Sequence, residues 1–191
     1  MSFKDYHIIL ASNSPRRKEL LRGLDIAFDV RVQPDIAEDY PADTVPADVA
    51  AYISREKANA YKDTIAENEL IITADTVVIV GNEILGKPHD DAEAKEMLHK
   101  ISGRKHQVVT GVCLTTMEKQ RCFSVSTDVT FKNLKEEEID YYIETYSPLD
   151  KAGAYGIQEW IGYIGVTALE GSYFNVMGLP VQRIWEELNR F

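Results

Sequence analysis

The stretch that says most about the fold is Ala11-Ser-Asn-Ser-Pro-Arg-Arg-Lys-Glu-Leu-Leu21, which follows the apolar run Ile8-Ile9-Leu10. The apolar run predicts a strand, and the polar residues after it predict a tight turn. Ser14 is suited to cap a helix, and Pro15 is suited to its first position. The sequence therefore predicts a strand, a turn and a helix in immediate succession.

Two arginines, Arg16 and Arg17, stand in the first turn of this predicted helix. That turn already carries free backbone N–H groups and the positive end of the helix dipole, so cations there are unfavourable unless an anion binds nearby. The hydroxyl-rich turn, the helix N-terminus and the paired guanidiniums together favour a polyphosphate pocket. The alternative is an ordinary capped surface helix with solvated arginines, and these residues alone do not separate the two.

The charge balance limits the class of partner. The chain has 191 residues, enough for one large domain or two small lobes with a sizeable core. Its formal net charge is −10, which argues against nucleic acid or an acidic membrane as partner, because both require basic surface. A small anionic ligand in a locally basic pocket stays open, and so does a homodimer.

The sequence also bears on the cellular compartment. The N-terminal residues 1–7 are charged and lack the apolar core of a signal peptide, and no stretch approaches the roughly 18 apolar residues of a membrane helix. We therefore expect a cytoplasmic protein. Cys113 and Cys122 fall on apparently neighbouring strands, and without an export signal we expect them to be reduced.

Strand and helix patterns alternate along the rest of the chain. The predicted strands cover residues 27–32, 70–80, 83–85, 107–116 and 121–131. The predicted helices cover 46–66, 90–101, 135–145 and 180–189, the last with Val181, Ile184, Trp185 and Leu188 on one face. This pattern predicts an α/β fold with a mixed twisted sheet, flanking helices and a long hairpin, without a linker between independent domains.

Asp75 is out of place in the strand pattern Ile71-Ile-Thr-Ala-Asp-Thr-Val-Val78, whose apolar residues predict burial on both faces. A carboxylate there is costly unless it is paired, hydrogen-bonded or metal-bound. The structural alternative is a core aspartate satisfied by Thr73, Thr76 or backbone amides. We favour a catalytic or metal-binding Asp75, because aspartate has low strand propensity.

Two lysines and one loop add weaker signals. Lys57 lies in the middle of an apolar arc of the helix predicted over 46–66, either snorkelling to solvent or serving a site. Lys87 stands on the rigid turn 86–88. In the loop 150–158, glycines permit close approach of a ligand, Tyr155 could stack on a flat group, and Gln158 offers the donor and acceptor that a nucleobase edge requires. An ordinary structural loop is the alternative, and we interpret 175–180 as structural.

Taken together, these segments resemble the Maf family of nucleoside triphosphate pyrophosphatases. The matching motifs appear in family order and spacing across nearly the whole chain: ASNSPRR at 11–17, SREKA at 54–58, TADTVV at 73–78, GKP at 86–88, SGRKHQVVTGV at 102–112, DKAGAYGIQ at 150–158 and GSYFNVMGLP at 171–180. The resemblance implies one Maf-like nucleotide pyrophosphatase domain over 1–191, with two lobes about a deep cleft, similar to the inosine triphosphate pyrophosphatase fold. It implies hydrolysis of a nucleoside triphosphate to the monophosphate and pyrophosphate with a divalent metal cation, Mg²⁺ or Mn²⁺.

The form DKAGAYGIQ resembles the branch that acts on dTTP and UTP. One departure is Glu159-Trp160, where glycines are frequent in the family. Two other readings stay open: a purine-directed pyrophosphatase of the same fold, acting on inosine or xanthosine triphosphate, and a nucleotide-binding regulator of septum formation or cell division.

The resemblance also assigns roles by position. Asp75 would accept the proton of the attacking water, and Glu38 with Asp75 would form the acidic pair available to a metal ion. Lys57 and Lys87 would assist catalysis. The remaining positions fall into two groups: Arg16, Thr76 and Gln158 at specificity positions, and Ser12 and Arg17, with Glu38, Lys57 and Lys87, lining the polyphosphate and metal site.

Overall fold

A computed structural model describes residues 3–34 and 36–190 of the chain. The strands are β1 (His7–Leu10), β2 (Phe28–Val30), β3 (Glu69–Val80), β4 (Glu83–Leu85), β5 (Lys105–Thr115), β6 (Gln120–Phe131) and β7 (Val166–Glu170). The helices are α1 (Pro15–Arg22), α2 (Pro46–Asn59), α3 (Asp91–Ile101), α4 (Glu136–Tyr146), α5 (Trp160–Gly165), α6 (Tyr173–Val176) and α7 (Val181–Asn189). The mixed α/β architecture that the sequence predicts is confirmed.

The strands of the described residues form a mixed sheet in the order β2-β1-β3-β5-β6-β7, and β4 pairs with β3. β1 pairs in parallel with both β2 and β3, whereas β3–β4 and β6–β7 are antiparallel. β3 is buried along almost its whole length, as its run of β-branched residues predicts. None of the helices in the described part of the chain is long and apolar enough to cross a membrane.

The chain divides into two compact units. The first unit comprises Met1–Asp75, Thr110–Val125 and Gly178–Phe191, and the second comprises Thr76–Val109 and Ser126–Met177. The long strands β3, β5 and β6 each contribute residues to both units. The two predicted lobes thus correspond to two compact units of the chain. The predicted cleft and the assignment of a single domain stay predictions.

In the first unit, the connections on either side of β1 run in opposite directions. α1 leads from β1 to β2, its neighbour on one edge, and α2 leads from β2 back past β1 to β3, its neighbour on the other edge. The carboxyl end of a strand at which successive crossovers diverge is the usual place for a ligand in an open α/β sheet. In this chain that end is Leu10, directly before the polar turn and α1.

Helix α2 packs closely on the sheet of the first unit. A Cβ atom on Gly111 of β5 would lie 2.3 Å from the backbone carbonyl carbon of Ala50, so only glycine permits this approach. The prediction that this helix runs to residue 66 is wrong, because α2 ends at Asn59. Beyond it the buried Tyr61 holds the chain in turns, since its hydroxyl donates to the carbonyl oxygen of Arg31 and accepts from the N–H of Gln33.

Two further expectations about the first unit are wrong. Trp185 does not share the buried face of α7, because its side chain is 42% exposed and its ring meets Phe3 edge-on. Cys113 and Cys122 are not reduced but form a disulfide, with Cα atoms 4.1 Å apart. They lie on the neighbouring strands β5 and β6, so strand pairing brings the sulfur atoms together.

The second unit has its own core of buried apolar residues from α3, α4, β5, β6 and the segment after α4. No periodic pattern predicts α5 and β7, which lie in the Gly-rich segment 151–178. β7 is short and largely exposed, and it is held by antiparallel pairing with the end of β6. Such a strand depends on its partner and not on a pattern of its own.

Candidate active site

The turn after β1 has the geometry that the sequence predicts. The N–H of Ala11 extends the pairing of β1 with β3 by donating to the carbonyl oxygen of Ile72, at 2.9 Å. The buried hydroxyl of Ser12 accepts from the N–H of Ser14, at 3.2 Å. Ser14 caps α1, because its Oγ accepts from the N–H of Arg17, and Pro15 opens the helix. The turn is thus fixed by its own hydroxyls.

The two arginines of α1 lie in the first unit, and the surroundings of Arg17 are defined in detail. Its Nε donates to the carbonyl oxygen of Gly178 at 2.8 Å, and its Nη1 donates to that of Ala74 at 2.9 Å. Burial lowers the pKa of Arg17, and the nearby Asp75 carboxylate opposes that shift. Arg17 is therefore not the solvated surface arginine of the alternative reading, and it is held next to the residue that precedes Asp75.

Asp75 and Glu38 both lie against one ammonium group. The Nζ atom of Lys57 is 2.8 Å from Oδ1 of Asp75 and 2.7 Å from Oε1 of Glu38. The side chains of Lys57 and Asp75 are 14% and 10% exposed, whereas that of Glu38 is 46% exposed. Helix α2, strand β3 and the loop before α2 thus bring together three residues that sequence motifs had singled out separately. The partner of the buried carboxylate is a lysine, not a neighbouring threonine alone.

A pair of buried hydroxyl residues, Ser54 and Thr73, was not predicted from the sequence. Thr73 Oγ1 donates to the carbonyl oxygen of Ser54 at 2.8 Å, and Ser54 Oγ lies 3.2 Å from the carbonyl oxygen of Thr73. Both residues are fully buried. Lys57 follows Ser54 by three positions on a helix and Asp75 follows Thr73 by two on a strand, so each lies on the same face as its predecessor. The pair could have been predicted because Ser54 on α2 and Thr73 on β3 are polar residues at positions that face the core.

The second unit carries the other three candidate residues. Thr76 follows Asp75 in β3, and Lys87 is exposed on the turn after β4. The carbonyl oxygen of Gly86 accepts from the N–H of Gly153 at 2.9 Å, which ties the turn of Lys87 to the loop of Gln158. Within this unit, therefore, two motifs that are far apart in sequence are joined.

Gln158 has an incompletely satisfied carboxamide. Its side chain is half-buried, and its Oε1 atom is shielded from solvent without a hydrogen-bond partner among the described residues. An unpaired buried acceptor is costly, so a rotation of the carboxamide that brings Oε1 to a ligand donor would be favourable. Uracil and thymine both offer such a donor at N3–H.

The suggestion that Tyr155 stacks on a ligand is wrong. Tyr155 is buried, its ring packs edge-on against Phe131, and its hydroxyl lies 2.7 Å from Nε2 of His106. Burial lowers the pKa of His106 to about 4, so this imidazole is neutral at pH 7. The structural interpretation of 175–180 agrees with Asn175, whose amide is buried and donates to the carbonyl oxygen of Val108.

The donor set fits a metal ion that is shared with a substrate. Among the described residues, no group of three or more His, Cys, Asp or Glu side chains is placed to hold a metal. Glu38 and Asp75, however, converge on one cation, the ammonium of Lys57. Mg²⁺ is commonly bound by one or two carboxylates together with substrate phosphates and water, which matches this pair.

Comparison with known proteins identifies the family. A family model described as "Maf-like protein" matches residues 7–191. The chain belongs to the Maf family. It is 58% identical over 189 residues to a protein of Phocaeicola vulgatus named "dTTP/UTP pyrophosphatase", covering 99% of this chain and 98% of that one. It is 56% identical to a protein of Bacteroides thetaiotaomicron with the same name, covering 97% and 96%.

A solved structure supports the fold. The Maf chain superposes on a HAM1 protein from Coxiella burnetii with a TM-score of 0.51 and 15% sequence identity, covering 97% of this chain and all of that one. At this identity the likeness concerns the fold alone. It confirms the predicted α/β architecture.

Proposed function

We propose that this Maf protein hydrolyses dTTP, UTP and modified pyrimidine analogues to the nucleoside monophosphate and pyrophosphate, and so clears the nucleotide pool of unwanted triphosphates. The observation that carries the proposal is the buried Asp75 carboxylate on the Lys57 ammonium, in the unit that also contains Arg16 and Arg17. The names of relatives at 56–58% identity support the same activity. Buried charged groups of this kind are typical of functional sites.

The reaction we propose is attack of water on the α-phosphorus. The water oxygen forms a bond to that phosphorus while the bond to the α,β-bridging oxygen breaks, and its electron pair leaves with pyrophosphate. Asp75 accepts a proton of the attacking water. Lys57 and Lys87, with the basic residues of α1, offset the charge that builds up on the leaving pyrophosphate.

Glu38 and Asp75 are the residues that we propose hold a divalent cation, Mg²⁺ or Mn²⁺, together with substrate phosphates. When bound, the cation supplies charge neutralisation of the triphosphate. We expect activity to vanish on exhaustive chelation and to return when Mg²⁺ or Mn²⁺ is added. Full turnover by chelated, metal-free protein would contradict the proposed role of Glu38 and Asp75.

Product analysis tests the reaction class. Phosphorus NMR of a UTP reaction should show UMP and intact pyrophosphate as the first products. Orthophosphate as the primary product would contradict the proposal. Saturable binding of UTP without any product would instead identify a nucleotide-binding protein. The Asp75→Asn variant, which should give no product, is the matched control.

Base choice is the finer part of the proposal. We expect UTP, dTTP and 5-methyl-UTP to be used well, and CTP, GTP and ATP poorly. Cytosine lacks the N3–H that would pair with the unpartnered Oε1 of Gln158. The methyl group of thymine adds only size, worth roughly 1–3 kcal/mol in a tight pocket and less in a roomy one.

The test compares kcat/KM for UTP and GTP in the wild type and in Gln158→Ala. The variant should lose much more activity toward UTP than toward GTP, because only the pyrimidine loses its partner. Equal losses would mean that Gln158 does not read the base. Faster hydrolysis of GTP, or of inosine triphosphate, by the wild type would favour the purine-directed alternative.

We also propose that the protein acts in the cytoplasm, where nucleoside triphosphates are used. The Cys113–Cys122 disulfide is uncommon in that compartment. Because Cys113 is buried, the test is acid quenching of intact cells followed by thiol alkylation of the denatured protein. Labelling of both cysteines supports the location, and complete protection contradicts it.

A further inference from the structure

The segment around Gln158 is held from both sides by one hydroxyl group. The hydroxyl of Tyr142, on α4, accepts from the N–H of Gly156 at 3.0 Å and donates to the carboxylate of Glu159. Gln158 lies between these two anchored residues. The N–H of Glu159 also donates to the carbonyl oxygen of Gly156 at 3.0 Å, which closes a turn with Gln158 inside it.

A buried lysine completes this arrangement. Lys151 Nζ lies 3.2 Å from Oε1 of Glu159 and 2.7 Å from Oδ1 of Asp150, and the lysine side chain is 8% exposed. The Glu159 carboxylate therefore has a different partner for each oxygen. Rotation of this carboxylate would break its contacts with both Tyr142 and Lys151, which is unfavourable.

Tyr142 is suited to a fixed donor role. Its ring is completely buried and stacks on Tyr146 at a centroid distance of 5.1 Å. Burial and the neighbouring Glu159 carboxylate raise the pKa of Tyr142, so the hydroxyl keeps its proton over the whole physiological range.

The anchored turn also limits where the amide of Gln158 can lie. A Cβ atom on Gly156 would come within 3.1 Å of Nε2 of Gln158 and within 3.0 Å of the Glu159 carboxylate. The carboxamide thus packs against the bare backbone of Gly156. The position of that backbone is set by Tyr142, so the tyrosine and the amide are coupled through it.

We propose that Tyr142, Glu159 and Lys151 are specificity-positioning residues that fix the carboxamide of Gln158 in the orientation that reads a pyrimidine base. This inference rests on the proposed function of Gln158. A glycine at 159 would have no carboxylate to anchor. None of the three residues needs to touch the substrate.

The experiment measures kcat/KM for UTP and for CTP in five variants and takes their ratio as the selectivity. Tyr142→Phe removes the shared hydroxyl and should lower the ratio about tenfold, mainly by raising KM for UTP, with a smaller loss for CTP. Tyr146→Phe is the matched control, because it removes a hydroxyl from the stacked tyrosine one turn further along α4, and it leaves the ratio unchanged. Glu159→Gln keeps an oxygen that accepts from Tyr142 and should lower the ratio only about threefold.

The combination with Gln158→Ala separates positioning from stability. If Tyr142 acts through Gln158, the double variant has the selectivity of Gln158→Ala alone, since there is no amide left to position. Additive losses, or an unchanged ratio in Tyr142→Phe, overturn the inference. If Tyr142→Phe does not fold, as judged by its thermal transition, Glu159→Gln decides, and an unchanged ratio in that variant overturns the inference. An unchanged ratio in Gln158→Ala itself removes the base-reading proposal, and the inference with it.

Discussion

The candidate residues around Lys57 and the carboxamide of Gln158 have different chemical forms. In the first unit the groups are ionic: Lys57 lies between the carboxylates of Asp75 and Glu38, and the Arg17 guanidinium binds two backbone carbonyls. In the second unit, Gln158 presents a neutral carboxamide with a shielded acceptor that lacks a partner among the described residues. One set is suited to phosphate charge and the other to the edge of a base.

This difference predicts which substitutions will lower activity toward every nucleotide and which will change the preference among nucleotides. Charge on a triphosphate is the same whatever the base, so changes at Asp75 and Lys57 should affect all nucleotides alike. Hydrogen bonding to a base is specific, so changes around Gln158 should alter the ratio between nucleotides. The expected effects are given from the largest to the smallest, and the kinetic ones test this difference between charge and base recognition.

The largest effect is expected for Asp75→Asn. Asparagine keeps the shape of aspartate but cannot accept a proton, so kcat/KM should fall by about 10³-fold for UTP and for GTP alike. The measurement is steady-state kinetics together with the thermal transition. Glu69→Gln is the matched control, because Glu69 is a second buried carboxylate of β3, paired with Arg31 at 2.5 Å, and its loss should affect stability but hardly activity. An Asp75→Asn protein that unfolds would support the purely structural reading of Asp75.

Lys57→Met comes next. Removal of the ammonium leaves the Asp75 and Glu38 carboxylates without the cation they share, and kcat/KM should fall by about 10²-fold with an unchanged UTP to CTP ratio. Lys57→Arg retains the charge and should recover part of the loss. A shift in the nucleotide ratio in either variant would break the division between charge and base recognition.

The charged residues of the candidate site were easier to predict from the sequence than the contacts that hold the surrounding chain in place. Asp75 and Lys57 stand out because a charged residue in an apolar pattern is a local signal, and the cap at Ser14 is local as well. The end of α2 was missed because Tyr61 bonds to Arg31 and Gln33, which are far away in sequence. Contacts of this kind leave no periodic trace in a single chain.

The third prediction concerns the pH dependence of stability in the second unit. The pKa of His106 is about 4 in the folded chain against 6.5 as its ordinary value, because of burial, an effect that Asp128 partly opposes. As pH falls below 6.5, the unfolded chain takes up this proton first, so stability decreases from pH 6.5 down to about 4. Between pH 7 and pH 5 the free energy of unfolding should drop by about 2 kcal/mol from this group.

Urea titrations at a series of pH values measure this drop. His106→Gln should lose the slope, whatever its effect on stability at pH 7, while His7→Gln at an exposed site should keep it. A slope that survives in His106→Gln would mean that other groups cause it.

The smallest effect is expected for Thr73→Val. Valine has the shape of threonine without the hydroxyl, so the Ser54 carbonyl oxygen loses its partner and the free energy of unfolding should decrease by about 1–2 kcal/mol. Because the bond also aligns Lys57 with Asp75, kcat/KM should fall about threefold for all nucleotides. Thr115→Val, in which a buried threonine of β5 loses a hydrogen bond from Gln120, is the matched control and should leave kcat/KM unchanged.

The base-reading loop was the hardest part to predict from sequence. Gly153 adopts a φ of 68°, which glycine permits, while the prediction that this loop approaches a ligand stays a prediction. Tyr155, however, was indistinguishable in sequence from a stacking residue, and only its contact with His106 and Phe131 places it in the core. The Tyr142–Glu159 link joins α4 to a loop with no shared motif, and so no motif could reveal it.

The bond from Arg17 to Gly178 has a consequence for the timing of synthesis. The two residues are 161 positions apart, and Arg17 is translated long before its acceptor. At 5–20 residues per second, the ribosome takes about 10 to 30 s to cover that distance. Until then the Arg17 guanidinium lacks this acceptor. A nascent chain that already has β1, α1 and β3 therefore forms this hydrogen bond only after the segment before α7 has been made.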